Sequence, residues 1–303
     1  MTPDEDSQPY GTARGLQELL QGDARAFAMT LEDLVRDDPN AAVALGMVAA
    51  GVVAEDAPEK REAVLGALAD RPMALSALVQ SAIAAGRGAD ARSWVDKLAR
   101  HRQNDGPIQE LSARVALATG DAEASAAAAE RIIARWPEST KPLWVRAQAR
   151  QQLGDLAGAE ADYAAVIALD PSSAEAWTGR GVVREFQSDY EGALADYEEA
   201  LKRTPEVPNA WRNRADAHLG LEHFEQAEAD YTKAIELDPD FVEAYLGRAR
   251  ARTAANRYVE ALADFDRVLD ANPDHEARGQ RALVHAMMGT AAAGQGQQAE
   301  AGR

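Results

Sequence analysis

Residues 174–205 read AEAWTGRGVVREFQSDYEGALADYEEALKRTP, and this stretch decides the fold. Trp177, Gly181 and Arg184 recur at spacings of three and four, which puts them on one helical stripe. Gln187-Ser188-Asp189 is a turn-forming break. Ala193, Tyr197 and Ala200 then mark a second helical stripe. Pro205 has no backbone N–H to continue that helix and marks its exit. The unit is therefore helix, short turn, helix and a proline-marked link.

Working outward, the closing proline recurs as Pro137, Pro171, Pro205, Pro239 and Pro273, each 34 residues after the one before. The positions between keep the same register. Leu143, Ala147, Ala159, Tyr163 and Val166 precede Pro171, and Trp211, Ala215, Ala227, Tyr231 and Ala234 precede Pro239. Tyr245, Ala249, Ala261, Phe265 and Val268 precede Pro273. A fixed period of this length, filled with helical sequence, is the signature of stacked helical hairpins. The small residues have a physical reason: Gly181 and Ala193 fall where the two helices of a hairpin approach, and bulk there would push the axes apart. Ser172 with Glu175 and Asp240 with Glu243 have capping-box spacing, and Pro208 falls in a first helical turn.

A second periodicity concerns charge. Arg146, Arg180, Arg214 and Arg248 each precede the small residue of a first helix, and Asp162, Asp196, Asp230 and Asp264 each follow 16 residues later. In an antiparallel hairpin those positions come level, which predicts a ladder of Arg–Asp pairs, because partly buried arginine takes a carboxylate partner. First helices also carry Arg150, Arg184, Arg212, Arg250 and Arg252, whereas second helices are acidic. This split leaves two readings open: a first-helix face less acidic than the rest, or arginines already neutralised by neighbouring acids.

Composition narrows the function classes. With 32 basic and 50 acidic residues the chain carries a formal charge of −18, which opposes binding to a phosphate backbone. Cysteine is absent, which excludes disulfides, thiolate metal sites and a cysteine nucleophile. The start, MTPDEDSQPY, lacks the basic-then-apolar pattern of a signal peptide. The apolar run from Ala41 to Ala54 is short for a bilayer span and reads as a buried helix. The expectation is a cytoplasmic protein without membrane insertion.

The register resembles the tetratricopeptide repeat family. The resemblance is strong over 140–273 and weaker at 106–137, where Ser125 and Ala129 replace the usual alanine and aromatic. Farther upstream, 8–105 reads as degenerate repeats at 8–39, 41–72 and 73–105, with Phe27 standing where a small residue belongs. The expected organisation is an N-terminal tail at 1–7, these degenerate repeats, five repeats at 106–137, 140–171, 174–205, 208–239 and 242–273, a capping helix at 274–288 and a flexible tail at 289–303. The implied fold is an all-α, right-handed α-solenoid of about eight helix-turn-helix repeats.

The resemblance also implies a concave groove lined by first-helix residues, with a peptide or protein segment as partner. Carried over by register, the groove residues are Lys141, Trp144, Gln148 and Gln151, then Thr178, Val182 and Glu185. Arg212, Asn213, Asp216, Leu246 and Arg250 follow, with Arg281 and Val284 from the capping helix. Trp144 and Arg212 would anchor a partner, Trp144 having local core packing as its alternative role. Asn213 fits one slot of the family's carboxylate clamp, but Glu243 and Gly247 stand where the clamp needs Lys and Arg, which argues against a chaperone-tail receptor.

No catalytic constellation competes. The histidines are His101, His218, His223, His275 and His285; His218 and His223 are five apart and make a poor metal pair. Gly86-Arg87-Gly88 lacks the strand context of a phosphate loop. The sequence therefore predicts a non-enzymatic scaffold or adaptor with no catalytic residues, cofactor or metal. The alternatives are a self-assembling homo-oligomeric module or assembly chaperone and, last, an enzyme with a site inside the repeats.

Overall fold

The computed structural model describes residues 8–38, 42, 45–46, 49–50, 58–101, 105–272 and 276–301. Among these residues are sixteen α-helices and no strand. They fall into two compact halves, Met1–Asp155 and Leu156–Arg303. The expected tail at 1–7, Pro39, Pro273 and His275 lie outside the described residues.

The N-terminal half contains α1 (Gln8–Gln21), α2 (Ala24–Asp37), α3 (Pro58–Ala69), α4 (Pro72–Ala84), α5 (Gly88–His101), α6 (Gly106–Ala118), α7 (Ala122–Arg135) and α8 (Thr140–Gln152). Within the apolar run at 41–54, Ala42, Leu45, Ala49 and Ala50 are helical and buried. Phe27 is completely buried with Leu19, Leu31 and Leu45. The hairpin α1–α2 thus packs around a phenyl ring instead of a small residue, and the core on this side is aliphatic and bulky.

The C-terminal half contains α9 (Leu156–Leu169), α10 (Ala174–Phe186), α11 (Tyr190–Arg203), α12 (Pro208–Gly220), α13 (Phe224–Leu237), α14 (Val242–Ala254), α15 (Tyr258–Ala271) and α16 (Ala277–Ala301). Its core is built from alanine and aromatic rings. Tyr197 and Tyr231 have no exposed surface, and Ala193, Ala215, Ala227, Ala249 and Ala261 surround such rings. Gly181 is required by this packing, since a Cβ there would lie 2.6 Å from a ring carbon of Tyr197. Gly179 and Gly247 leave room for Tyr163 and Tyr231, each from the preceding repeat. Gly247, which breaks the carboxylate-clamp pattern, is therefore a packing residue.

Three rungs of the expected Arg–Asp ladder are in place. Arg180 donates from Nε and Nη2 to both oxygens of Asp196 at 2.9 and 2.6 Å. Arg214 does the same to Asp230, both at 2.7 Å, and Arg248 to Asp264 at 3.0 and 2.8 Å. Each guanidinium also lies over the aromatic ring three residues before it: Trp177, Trp211 and Tyr245 at 5.0, 4.9 and 5.5 Å. Each of these aromatic side chains in turn donates to the carbonyl of the proline that closes the preceding repeat, Trp177 to Pro171, Trp211 to Pro205 and Tyr245 to Pro239. Proline link, ring, arginine and aspartate are one connected cassette.

Turns repeat with the same register. The residue closing each helical hairpin is left-handed at Gly86, Gly120, Gly154, Ser188, Glu222 and Asn256, successive steps of 34. Gly22 is left-handed as well, 64 residues before Gly86, so the period slips by four residues in the N-terminal part. The left-handed turn thus recurs in the region where side-chain resemblance is weak.

Two expectations are corrected. Neither capping box forms: α10 starts after Ser173, whose Oγ accepts from the Ala176 N–H, and α14 starts after Phe241 with no side-chain cap. Asp170 and Asp238 instead take the N–H groups of Ser172 and Asp240, which holds the proline link as a turn and delays helix entry by a residue. The second correction concerns the end of the chain. α16 runs to Ala301 where a flexible tail from 289 was expected. The segment has no proline to stop the helix, and its Ala, Gln and Glu residues favour it against Gly289, Gly294 and Gly296.

Gly181→Leu should lower stability by about 1–3 kcal/mol through overpacking against Tyr197. Asp196→Ala should cost about 3–5 kcal/mol, because it strands two guanidinium groups around a buried site. Urea unfolding of the intact chain checks both, and unchanged midpoints would contradict the packing and ladder assignments.

Candidate protein-binding faces

In the C-terminal half the first helices α10, α12 and α14 carry a polar strip held from beneath by the aromatic core. The Tyr197 hydroxyl donates to Glu185 Oε2 at 2.9 Å, and the Tyr231 hydroxyl donates to Asp216 Oδ1. Arg212 donates to Asp216 Oδ2 at 2.8 Å and to Asn213 Oδ1 at 3.0 Å, while its buried Nε has no partner. Arg250 reaches Gln280 at 3.1 Å and Glu276 at 3.4 Å.

The carboxylates of this strip are unusual. Burial pushes the Glu185 carboxyl above the ordinary range, and the nearby charge of Asp216 adds to the shift despite the Tyr197 hydrogen bond. Burial raises Asp216 too, against the opposing effects of Tyr231, Arg212 and Arg250. Both tyrosines are pushed far up, first by burial and then by the carboxylate they bond. Glu185 has no cation within ion-pair distance among the described residues, so its charge is incompletely compensated.

Elsewhere in this half the arginines are neutralised. Arg184 bonds Glu160 of the preceding second helix at 2.9 Å and Asp196 at 3.0 Å. Arg252 repeats this with Glu228 and Asp264 at 2.9 and 2.7 Å. All seven first-helix arginines of Leu156–Arg303 have a carboxylate partner. Of the two readings left open by the charge split, the neutralised one holds here.

At the position of Arg184 and Arg252 the intervening repeat has His218, and at the position of Glu160 and Glu228 it has Leu194. Without the glutamate, His218 Nε2 lies 3.9 Å from Asp230, its Nδ1 is buried without a partner, and its ring centroid is 5.7 Å from that of His223. Among the described residues no cluster of three metal-ligating side chains occurs.

The remaining candidates have varied surroundings. Thr178 is half-buried, Val182 packs beside Tyr197, and Leu246 packs with the α15–α16 core. Arg281 Nε lies 2.6 Å from Asp266, toward the second helix α15. Val284 is buried against Phe265 and Val268, which corrects its expected place in a groove.

In the N-terminal half a cavity of 450 Å³ opens among α2, α4, α6 and α8. Lys141 lines it, 3.8 Å from Glu110 and largely exposed. Met73, Gln80 and Arg114 line it as well and were missed by the sequence reading, which gave no groove register to residues before Lys141. Trp144 packs, partly buried, on the cluster of Ala113, Ala129 and Ile132 between α6 and α7. Gln148 and Gln151 are half-buried on α8.

The sequence matches the Tetratricopeptide repeat family at residues 144–208, 183–222 and 212–276. The chain belongs to the tetratricopeptide repeat family. No curated protein matches it. Among solved structures, a tetratricopeptide repeat protein from Parabacteroides merdae is 16% identical, with 92% of this chain and 99% of that one covered and a TM-score of 0.58. Cut9–Hcn1, an APC/C hetero-tetramer, is 16% identical, with 91% of this chain and 53% of that one covered and a TM-score of 0.62. MamA from Desulfovibrio magneticus is 20% identical over 57% of this chain and 98% of that one, at a TM-score of 0.53. These likenesses place the fold among all-α repeat solenoids. Among the described residues no helix is long and apolar enough to cross a membrane.

The histidine carries a pH prediction. Burial lowers His218 below its ordinary value of about 6.5. The unfolded chain then binds this proton more readily than the folded one, so stability rises with pH across the interval. The contribution is intact above the ordinary histidine range and lost as pH falls below it. Thermal melts between neutral and mildly acidic pH should show a smaller decline for His218→Gln than for the unaltered chain; equal declines would discount the histidine.

Proposed function

We propose that this chain is a non-enzymatic interaction scaffold, and that the first-helix strip of its C-terminal half receives a protein segment bearing a basic side chain. Membership of the repeat family supports the scaffold reading. The observation that carries the finer reading is the Glu185–Asp216 pair. Two carboxylates on successive first helices are desolvated, pushed up, and fixed in place by tyrosine hydroxyls from the core. Perturbed and preorganised groups of this kind mark binding sites, and a partner cation would relieve the desolvated charge that Glu185 carries without a cation of its own. Val182 beside the strip offers apolar contact to the same segment.

An array of short peptides tests this with purified intact protein. The unaltered chain should retain lysine- and arginine-containing peptides, and Glu185→Gln/Asp216→Asn should lose about tenfold or more in affinity, as expected when a partner charge is left unpaired. Retention should also weaken as pH falls toward the raised carboxyl range, because protonation removes the charge. Identical peptide sets and affinities for the double variant would overturn the reading.

A further inference from the structure

The repeat at 106–137 has lost its charge cassette. Counting back 68 residues from the intact repeat, Gln109 stands for Trp177, Ser112 for Arg180, Ala116 for Arg184 and Ala128 for Asp196. Each of these four side chains has become smaller. These same four residues line a cavity of 570 Å³ between α5, α6 and α7. The space is the rung left empty, and it lies on a different face of α6 from the cavity containing Lys141, Glu110 and Arg114.

Its charge is also inverted. Position 92, glutamate in the corresponding Glu160 and Glu228, is arginine here. Arg92, Arg100, Arg131 and Arg135 line the cavity against one acid, Asp96. Asp96 is already engaged, accepting from Ser112 Oγ at 2.8 Å and from Arg92 at 3.4 Å. Arg92 is further held by Asp121 at 2.8 Å, and Arg135 lies 5.2 Å over the Trp136 ring. Arg100 and Arg131 are exposed and have no carboxylate partner among the described residues. In a chain with a net charge of −18, two uncompensated arginines at the mouth of a vacated, aromatic-walled cavity form a local reversal of field.

We propose that this cavity is a second binding site, for an acidic segment of a protein partner. A side-chain carboxylate of that segment takes the place of the missing aspartate. Arg100 and Arg131 pair with it, the Gln109 and Ser112 side chains line its floor, and Trp136 and Ile132 cover its aliphatic stem. The volume suits this occupant, since ligand-sized pockets span about 300–1,000 Å³. The intact rungs show that this geometry accommodates a carboxylate bonded by two arginines, as Asp196 is by Arg180 and Arg184. Here the carboxylate must come from outside the chain's own α7.

Fluorescence anisotropy of a labelled hexaglutamate peptide with the full chain at low salt tests the site, with hexaglutamine as the neutral comparison. Hexaglutamate should bind despite the repulsive net charge, and hexaglutamine should not. Two variants should each weaken hexaglutamate by about tenfold or more, as loss of close charge pairs does. One, Arg100→Glu/Arg131→Glu, reverses the mouth. The other, Ser112→Arg/Ala128→Asp, rebuilds the rung and fills the space. The refilled variant should melt no lower than the unaltered chain, so its loss of binding cannot be unfolding. Glu185→Gln/Asp216→Asn should leave hexaglutamate binding unchanged, which separates this site from the strip proposed above. Binding of hexaglutamate by the two cavity variants as tight as by the unaltered chain would overturn the proposal. So would displacement of the peptide by inorganic phosphate at matched charge, which would mark a small-oxyanion site.

Discussion

The buried aspartate that receives a forked arginine is the constraint on which the C-terminal half depends. Asp196, Asp230 and Asp264 sit on second helices with little or no contact with water. Such a group is tolerated only when hydrogen-bonded and paired, and each rung meets that demand with two parallel bonds. The pairing fixes where the first helix lies along the second. It also fixes the aromatic ring under the guanidinium, and the ring fixes the proline link through its carbonyl. The alanine–tyrosine core can then be made of small residues, because the helices are already held in register.

The same constraint explains why the first-helix strip can hold carboxylates at a cost. Tyr197 and Tyr231 fill the core with their rings and send their hydroxyls through to the first-helix face. One side chain thereby supports both packing and display. Where the cassette is missing, at 106–137, the chain has a cavity in place of a rung and an opposite sign of charge. The two faces proposed to bind partners thus follow from one motif, kept in one repeat and dismantled in another.

Much of this was legible in the sequence, because the period multiplies each signal. The proline spacing marked the hairpins, and the 16-residue offset between arginine and aspartate foretold the ladder. Gly181 could be read as a contact because only the absence of a side chain explains glycine inside a helix. What stayed hidden depended on partners outside the register. The vacated cavity takes two of its arginines, Arg92 and Arg100, from α5, in a repeat whose side chains barely resemble the rest. The capping boxes failed because Asp170 and Asp238 compete for the entry turn. The packing of Trp144 on α7 was left open, since periodicity fixes which stripe a residue is on but not how wide the buried stripe is.

The bonds from Arg184 to Glu160 and from Arg252 to Glu228 separate two meanings of the word repeat. The prolines delimit the covalent period. The smallest segment that satisfies its own charges is offset from it by one helix, beginning on the second helix of one hairpin and ending on the second helix of the next. A piece excised at the prolines would carry away an arginine and leave its glutamate behind. A cut at the left-handed turns divides pairs as well, since Ser188 lies between Arg180 and Asp196, so a two-helix module of this chain cannot be lifted out with its charges satisfied.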